Sequence, residues 1–527
     1  MRVPRLPFTI LALAPFGAQG AAGSERGTLQ VDRTNLDEVM AALGLSVTVP
    51  MEKPLCPAGE LRLHFRRIKD FHPDSLVSQT PFLKNLLDAR AFVVEATAKG
   101  LPLREVKKRL QAWPDLPPLD LRDVQVSREK PAAKPPPRAI ESILEMVAIP
   151  EGGESAPSKA GPAVGEIDGI LRRVLSQVFS DEAFRELESV WRGLRFLLAG
   201  GGTDGTVMVE IFSTSRETLE EALSDLLARL IKEPPCLLLL DLPFDSTPWS
   251  LELLEKLADF GETLLVPTIT WIAPRFLFID GWDELGRLPF LPHYLEKSEF
   301  AKWRRLQGLS SAGWLTATCN RFLLRYPYGP DNRAALVDFN EKQGLWASPV
   351  WGLGNLISQS VVTTGWPTRF TDWERVRLEN LALQPLHGGK PLATETFLPE
   401  DRISQFLKAG ILPLVSTFGK DMAFVPRETT VVGGSLRYQL LVTVLSRFLF
   451  WCKDNFVPGL ELGDLEQALK KAFALFWEQT GQAAAPQVLD IRVTRPDVDK
   501  PARVRLTVEP PRQVLPSGQQ VELEFTW

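Results

Sequence analysis

The sequence has few residues of the types that usually build metal sites or covalent frameworks. It contains only 4 cysteines and 4 histidines in 527 residues, and no two cysteines have the CxxC spacing. Structural zinc sites need clustered Cys and His ligands, and disulfide frameworks need regularly spaced cysteines. We therefore predict no metal site and interpret the cysteines as reduced, buried residues: Cys56, Cys236, Cys319 and Cys452.

Motifs for nucleotide binding and nucleophilic catalysis are also missing. The phosphate-binding pattern GxxxxGK[ST] does not occur in the chain, and "VVGGSL" at 431–436 lacks the GxSxG pattern of a nucleophile elbow. "CLLLLD", which ends at Asp241, resembles the strand and acid that hold magnesium in P-loop ATPases. Without a phosphate loop, we interpret Asp241 as a turn residue at the end of a strand. We predict no catalytic, cofactor-binding or metal-binding residues and a protein that is not an enzyme.

Neither the charge nor the hydropathy indicates binding to nucleic acid or insertion into a membrane. Lys and Arg total 60 against 65 Asp and Glu, for a net charge of −5. We see no segment that is long and apolar enough to span a bilayer. Arg2 and Arg5 precede "LPFTILALAPFGAQGAA", which has features of a secretory signal, but the short apolar run between Pro7 and Pro15 also fits a buried first strand. The strand interpretation predicts a cytoplasmic protein.

The chain is long enough for more than one hydrophobic core, and its composition indicates three regions. Residues 1–127 read as a small α/β module: the strand "FTILALAPF", a helix in "NLDEVMAALGLS", the strand "LRLHF" and a helix in "FLKNLLDARAFVVEA". Residues 128–165 are rich in Pro, Ala and Gly, which predicts a linker with one short helix at "AIESILEMVAI". Residues 166–527 form the third region.

The third region alternates helices and strands before it ends in strands. Apolar residues recur at helical spacing up to the glycines at 200–202, and "TVMVEIF", "CLLLLD" and "LLVPTITWIAP" then alternate with helical segments. This rhythm predicts a parallel or mixed sheet with helices on both faces. "RVRLTV" and "VELEFTW" change to a period of two and predict half-buried terminal strands, able to pair within the chain or with a neighbour.

Tryptophan is abundant, and several tryptophans stand beside arginine. The chain has 14 Trp against 4 Tyr, and Trp191-Arg192 and Trp303-Arg304 are two of the pairs. Trp and Arg dominate the energetics of protein interfaces, although each Trp on its own fits equally well as a core residue. Taken together, they favour a protein that contacts other proteins. We therefore select these interface candidates: Glu188, Trp191, Arg192, Arg195, Val521, Leu523, Phe525 and Trp527.

Several segments resemble the contractile sheath of the type VI secretion system. "EIDGILRRVLSQVFSDEAFRELESVWRGLRFLL" resembles the entry helices of the large sheath subunit, in which the Leu-Glu-x-x-Trp-Arg-Gly-Leu core corresponds to residues 187–194. "RYPYG" at 325–329 resembles an Arg-x-Pro-Tyr-Gly segment of the same subunit. "LRLHFRRIKDFHPDSLVSQTPFLKNLLDARAFV" is similar to the small subunit, whose Asp-Phe-x-Pro-Asp turn runs here from Asp70 to Asp74.

The resemblance implies a natural fusion of two sheath subunits that are usually separate chains. It also implies a structural, non-enzymatic protein that polymerises helically with itself around an inner-tube protein and contracts to propel that tube. The implied partners are the inner tube, baseplate components and an AAA+ disassembly ATPase. In this reading the Trp191-Arg192 helix packs and pairs with neighbouring elements. Two alternatives stay open: a non-polymerising accessory such as a cap or baseplate adaptor, and an α/β enzyme with an unrecognised site.

Overall fold

A computed structural model describes most of the chain. The described residues are 3–17, 27–111, 113, 116–117, 162–202, 205–385, 389–481, 484–495 and 501–527. The predicted linker, 128–165, falls outside the described residues up to 161, and so does its predicted short helix. The rest of this section concerns the described residues.

Strands and helices alternate along most of the described chain. The strands are β1 (Phe8–Ala14), β2 (Leu29–Val31), β3 (Leu45–Pro50), β4 (Glu60–Phe65), β5 (Val207–Ser213), β6 (Leu237–Phe244), β7 (Thr268–Ile272), β8 (Leu315–Cys319), β9 (Phe322–Arg325), β10 (Leu345–Ala347), β11 (Gln384–Pro385), β12 (Pro391–Leu392), β13 (Ile411–Pro413), β14 (Val415–Ser416), β15 (Ala423–Phe424), β16 (Val488–Thr494), β17 (Arg503–Glu509) and β18 (Val521–Thr526). The α-helices are α1 (Leu36–Leu43), α2 (Pro73–Gln79), α3 (Pro81–Ala98), α4 (Leu103–Leu110), α5 (Pro162–Val178), α6 (Glu182–Gly200), α7 (Leu219–Leu230), α8 (Pro248–Leu264), α9 (Leu291–Tyr294), α10 (Ala301–Gln307), α11 (Pro349–Thr364), α12 (Glu400–Lys408), α13 (Leu436–Asn455) and α14 (Leu462–Thr480).

A seven-stranded mixed sheet organises the fold, as the sequence predicts. Its strand order is β13-β8-β7-β6-β1-β5-β2, and every neighbouring pair is parallel except β2 with β5. Parallel strands need crossover connections, and helices supply them and cover the faces of the sheet. The mixed α/β class is therefore confirmed.

Strand β1 lies near the middle of this sheet, although it comes from the beginning of the chain. It pairs in parallel with β5 from Phe8 opposite Val207 to Ala14 opposite Ser213, and with β6 on its other side. Its side chains alternate between two cores: Ile10 and Ala12 belong to one, and Leu11 and Leu13 to the other. An apolar strand buried on both faces explains why "FTILALAPF" lacks the alternation of a half-exposed strand.

The two predicted entry helices of the third region are separate in the structure. Helix α5 ends at Val178, and α6 begins at Glu182 after a short turn. Asp181 caps α6, because its carboxylate accepts a hydrogen bond from the backbone N–H of Phe184 at 2.9 Å. Helix α6 then packs closely on α11: a Cβ added at Gly193 would lie 2.4 Å from the Trp351 ring. The glycine therefore permits the close approach of these two helices.

The C-terminal strands form a separate antiparallel sheet, β16-β17-β18. Val504, Leu506 and Val508 of β17 are completely buried and share a core with residues of α13 and α14. The predicted alternation of these strands is thus present. One apolar face packs on the two helices, and the other face is charged.

The interpretation of Asp241 as a turn residue is wrong. Asp241 lies inside β6 and is buried, and its carboxylate accepts hydrogen bonds from the indole N–H of Trp271 at 3.0 Å and of Trp351 at 2.5 Å. Burial raises the pKa of Asp241. A buried acid is tolerated when its oxygens have donors, and both donors come from elements distant in sequence, so the local pattern does not reveal them.

Candidate functional site

The tryptophan of the Leu-Glu-x-x-Trp-Arg-Gly-Leu core connects the two regions that flank the predicted linker. Trp191 on α6 is completely buried, and its indole N–H donates a hydrogen bond to the backbone oxygen of Phe16 at 3.2 Å. Its ring meets the Phe16 ring edge to face, with centroids 5.4 Å apart. Phe16 lies two residues after the end of β1. Trp191 therefore holds the residues before the linker against those after it.

A cluster of aromatic rings extends this junction. Phe65 and Phe71, from before the linker, stack at 4.3 Å, and each lies 5.9 Å from the ring of Phe184 on α6. Phe184 in turn contacts Phe179 at 5.0 Å. Buried aromatic pairs add about 0.5–1.5 kcal/mol each beyond the area that they bury. The junction consequently resembles a core more than a wet interface between domains.

Polar contacts fix the register of the junction. The carboxylate of Asp74, the last residue of the Asp-Phe-x-Pro-Asp turn, accepts hydrogen bonds from the backbone N–H groups of Ala335 at 3.0 Å and Leu336 at 2.8 Å. Arg90 on α3 forms an ion pair with Asp168 on α5. Directional bonds of this kind add specificity to an apolar surface, which on its own defines orientation poorly.

Helix α6 also carries part of a buried network of charges. Glu188 is completely buried, and its carboxylate accepts hydrogen bonds from Arg192 Nε at 2.7 Å and from Arg325 Nε and Nη2 at 3.1 and 3.0 Å. Burial raises the pKa of Glu188, but the charges of Arg325 and Arg192 outweigh it, and the net pKa lies below the ordinary value. Glu188 is therefore an anion held between two guanidinium groups.

The network continues from Arg325 to a second buried acid. Arg325 Nη1 lies 2.6 Å from Glu341 Oε2, and Arg185 Nη1 lies 2.9 Å from Glu341 Oε1. The Arg325 guanidinium also covers the ring of Tyr328 at 4.5 Å. Burial, the largest cause, raises the pKa of Tyr328 to about 12. These contacts join α6 to the end of β9 and to the segment that follows it.

The structure separates the interface candidates into two groups. Trp191 and Glu188 are buried, Arg192 pairs with Glu188, and Arg195 is exposed on the same helix.

The second group lies on β18 and at Trp527 directly after it. These residues pack on a different hydrophobic core from the one that contains α6. Val521 is completely buried, Phe525 meets Phe450 edge to face at 5.3 Å, and Trp527 lies 6.0 Å from Phe456. Leu523 packs against the same core. Strand β18 pairs with β17 on one side, and its other edge has no strand partner among the residues described.

Sequence reasoning missed several residues of the junction. Arg325 and Tyr328 fall in the "RYPYG" segment and Asp74 in the Asp-Phe-x-Pro-Asp turn, so the resemblance indicated the segments but not the contacts. Phe16 carried no signal beyond its position as the last residue of the predicted strand "FTILALAPF". Within the described ranges, no group of three or more His, Cys, Asp or Glu residues is placed to hold a metal ion. No described helix is long and apolar enough to cross a membrane.

Comparison with protein families defines the class of this chain. Residues 162–229 and 232–431, just over half of the chain, match the VipB family, the tail sheath N-terminal domain. The chain therefore belongs to this tail-sheath family. Residues 2–112 match the VipA family of the type VI secretion system. The chain is thus a fusion of the small and large sheath subunits of that system, as the resemblance implied.

One curated protein and two solved structures are similar to this chain. The chain is 25% identical over 295 residues to the type VI secretion system sheath protein TssC1 of Pseudomonas aeruginosa, an alignment that spans 49% of this chain and 59% of that protein. Two cryo-EM structures of the anti-feeding prophage are also similar. The baseplate has a TM-score of 0.36 at 11% identity and covers 64% of this chain and 76% of the matched chain. The contracted helical sheath has a TM-score of 0.33 at 10% identity, with coverages of 63% and 77%.

Proposed function

We propose that this chain is a structural subunit of a type VI secretion contractile sheath, in which one polypeptide supplies both the small and the large subunit. Many copies polymerise helically around an inner-tube protein, and contraction of the polymer propels that tube. The chain acts in the cytoplasm and is not an enzyme.

One observation carries the proposal: the two family-matched regions share one sheet. The VipA-matched region provides β1, and the VipB-matched region provides β5 and β6 on either side of it. A strand in the middle of a sheet cannot leave without breaking two ladders of backbone hydrogen bonds. Each repeat of the polymer therefore keeps its two regions in a ratio of one to one.

The free edge of β18 supports polymerisation. The backbone N–H of Trp527 donates a hydrogen bond to the backbone oxygen of Ala502 at 2.7 Å, and it therefore points toward β17. Backbone N–H groups alternate in direction along a strand, so those of Glu522, Glu524 and Thr526 face the free edge. On that edge the Thr526 oxygen accepts a hydrogen bond from Lys453 Nζ at 2.9 Å and the Glu522 backbone is hydrogen-bonded to Tyr438, whereas no such bond is found for the Glu524 backbone within the described residues. An edge with unpaired N–H and C=O groups accepts a strand from another chain. We propose that a strand of a neighbouring copy pairs there.

Further partners follow from the proposed role. An inner-tube protein occupies the lumen of the sheath, baseplate components anchor its first ring, and an AAA+ ATPase disassembles the contracted form.

Expression with an inner-tube protein tests the proposal. The chain is produced with that protein and without any separate small subunit, and the lysate is examined by negative-stain electron microscopy. We expect sheathed tubes that contain the intact chain. A folded chain, with a cooperative thermal transition, that stays unassembled across a range of concentrations would instead support a cap or baseplate adaptor and contradict the proposal.

A further inference from the structure

An open basic groove lies on the VipA-matched region. It has a volume of about 600 Å³ and is bounded by β4 and the turn between α2 and α3; its lining includes Arg62, His64, Arg66, Arg67 and Gln79. None of these positions contributes to the aromatic cluster or to the Glu188 network.

Hydrogen bonds to one buried carboxylate hold the base of the groove together. Asp70 is buried, and its carboxylate accepts hydrogen bonds from the backbone N–H of Arg66 at 2.9 Å, from Arg67 Nε at 3.1 Å and from Gln79 Nε2 at 3.0 Å. Asp70 neutralises Arg67 but not the other cations. Arg62 and Arg66 are exposed, and neither side chain forms an ion pair within the described part of the chain. Two unpaired guanidinium groups therefore face solvent from a fixed frame.

The charges of the groove follow the pleat of β4. Glu60, Arg62 and His64 alternate on its exposed face, and Arg66 continues the row directly after the strand. Alternate residues of a strand are about 6.6 Å apart. The row thus reads acidic, basic, histidine, basic from Glu60 to Arg66, at a nearly constant spacing.

A complementary row is exposed on α7. Glu221 and Asp225 face solvent one turn apart, and no contact with a basic side chain is found for either among the described residues. Glu217 stands one turn earlier, just before the helix, and Arg229, which is half-buried and pairs with Glu210, stands one turn later. Residues four apart on a helix are about 6 Å apart, close to the spacing of the β4 row. Glu220, on the neighbouring side of α7, pairs with Lys256 and so belongs to a different contact.

We propose that the basic groove binds the acidic row of α7 from a second copy of this chain. The charges match when the helix runs antiparallel to β4: Glu217 meets Arg66, and Asp225 meets Arg62. At the far end Arg229 keeps its own ion pair with Glu210, and Glu60 lies beside this pair, whereas the reverse orientation would place Glu60 beside Glu217. This contact rests on the proposed function, since it joins neighbouring copies of a polymer. Interfaces with opposed rows of charge gain specificity and register.

Charge reversal tests the contact. Two double variants each reverse one row: R62E/R66E in the groove and E221K/D225K on α7. A third chain carries all four substitutions, and R104E/K108E on exposed positions of α4 is a control that changes the net charge as much as the groove variant does. Each chain is produced with the inner-tube protein, and the critical concentration for sheath assembly is measured by sedimentation. Thermal melting verifies that each variant is folded.

We expect each double variant to raise the critical concentration about tenfold or more, because like charges then face each other. The fourfold variant should return toward the unmodified chain, and the α4 control should not differ from it. Two results would overturn the contact while leaving the proposed function intact: assembly of both double variants at the normal concentration, or a fourfold variant no better than the weaker double variant. A loss confined to the groove variant would likewise overturn it, since the groove would then bind another acidic partner. Failure of the unmodified chain to assemble would refute the proposed function and this contact together.

Discussion

Replacing Glu188 by glutamine probes the buried charge network with almost no change in volume. The carboxylate accepts three hydrogen bonds from Arg192 and Arg325, and it is completely buried. Glutamine retains one acceptor oxygen, but its amide nitrogen would face guanidinium donors at the position of the other oxygen. Arg325 keeps Glu341 as a partner, which limits the loss. Removing one member of a buried ion pair costs about 3–5 kcal/mol, and we expect Glu188→Gln to fall near the lower value.

The loss of unfolding free energy caused by Glu188→Gln should depend on pH in a defined direction. The folded-state pKa of Glu188 is lower than its ordinary value of 4.5, so the carboxylate adds stability above about pH 4.5 and this contribution is lost as the pH falls toward the folded-state pKa. Glutamine cannot titrate. The difference in unfolding free energy between the parent and Glu188→Gln should therefore be constant near neutral pH and shrink below pH 4.5.

Urea unfolding followed by tryptophan fluorescence measures both quantities. Glu220→Gln is the matched control, because it makes the same substitution in an ion pair with Lys256 that is about half exposed on both sides. Such a pair is worth about 0–1 kcal/mol. Equal effects of the two substitutions, or a difference from the parent that does not shrink in acid, would refute the assignment of Glu188 as a buried anion.

Three further predictions concern the junction and the free edge. Trp191→Ala should lower the free energy of unfolding of the unassembled chain by about 3–5 kcal/mol, since the residue is a core residue, and a nearly unchanged melting temperature would refute this. Cleavage at a protease site engineered between residues 128 and 161 should leave the two fragments co-eluting in native size exclusion, because β1 stays in the sheet; separate elution would contradict the described junction. Glu524→Pro removes an outward backbone N–H of β18 and should abolish assembly without lowering the melting temperature, whereas Glu524→Ala, which keeps that N–H, should assemble normally. Normal assembly of the proline variant would exclude strand addition at this edge.

Much of the fold was predictable because local patterns specify it. The apolar run at Phe8–Ala14, the helical spacing that leads to Trp191 and the alternation of β18 each identified an element of the correct type. Local patterns did not predict the environment of Asp241. Its neighbours in sequence predict a strand end, but its stability inside the strand depends on donors from Trp271 and Trp351.

The junction was only partly predictable for the same reason. The sequence marks α6 as important and favours contact or packing for Trp191, but it does not give the partner. That partner, Phe16, lies 175 positions away along the chain. The central position of β1 is likewise a long-range property, since an apolar strand fits equally well in the middle of any parallel sheet.

The most direct test of the central claim is a cryo-EM reconstruction of tubes grown from this chain and an inner-tube protein alone. We predict one copy of the chain in each repeat, with density for Phe8–Ala14 between β5 and β6 and no additional small subunit. Tubes that form only when a separate small subunit is supplied, or repeats in which another polypeptide occupies the position of β1, would contradict the claim that one chain provides both halves of the sheath subunit.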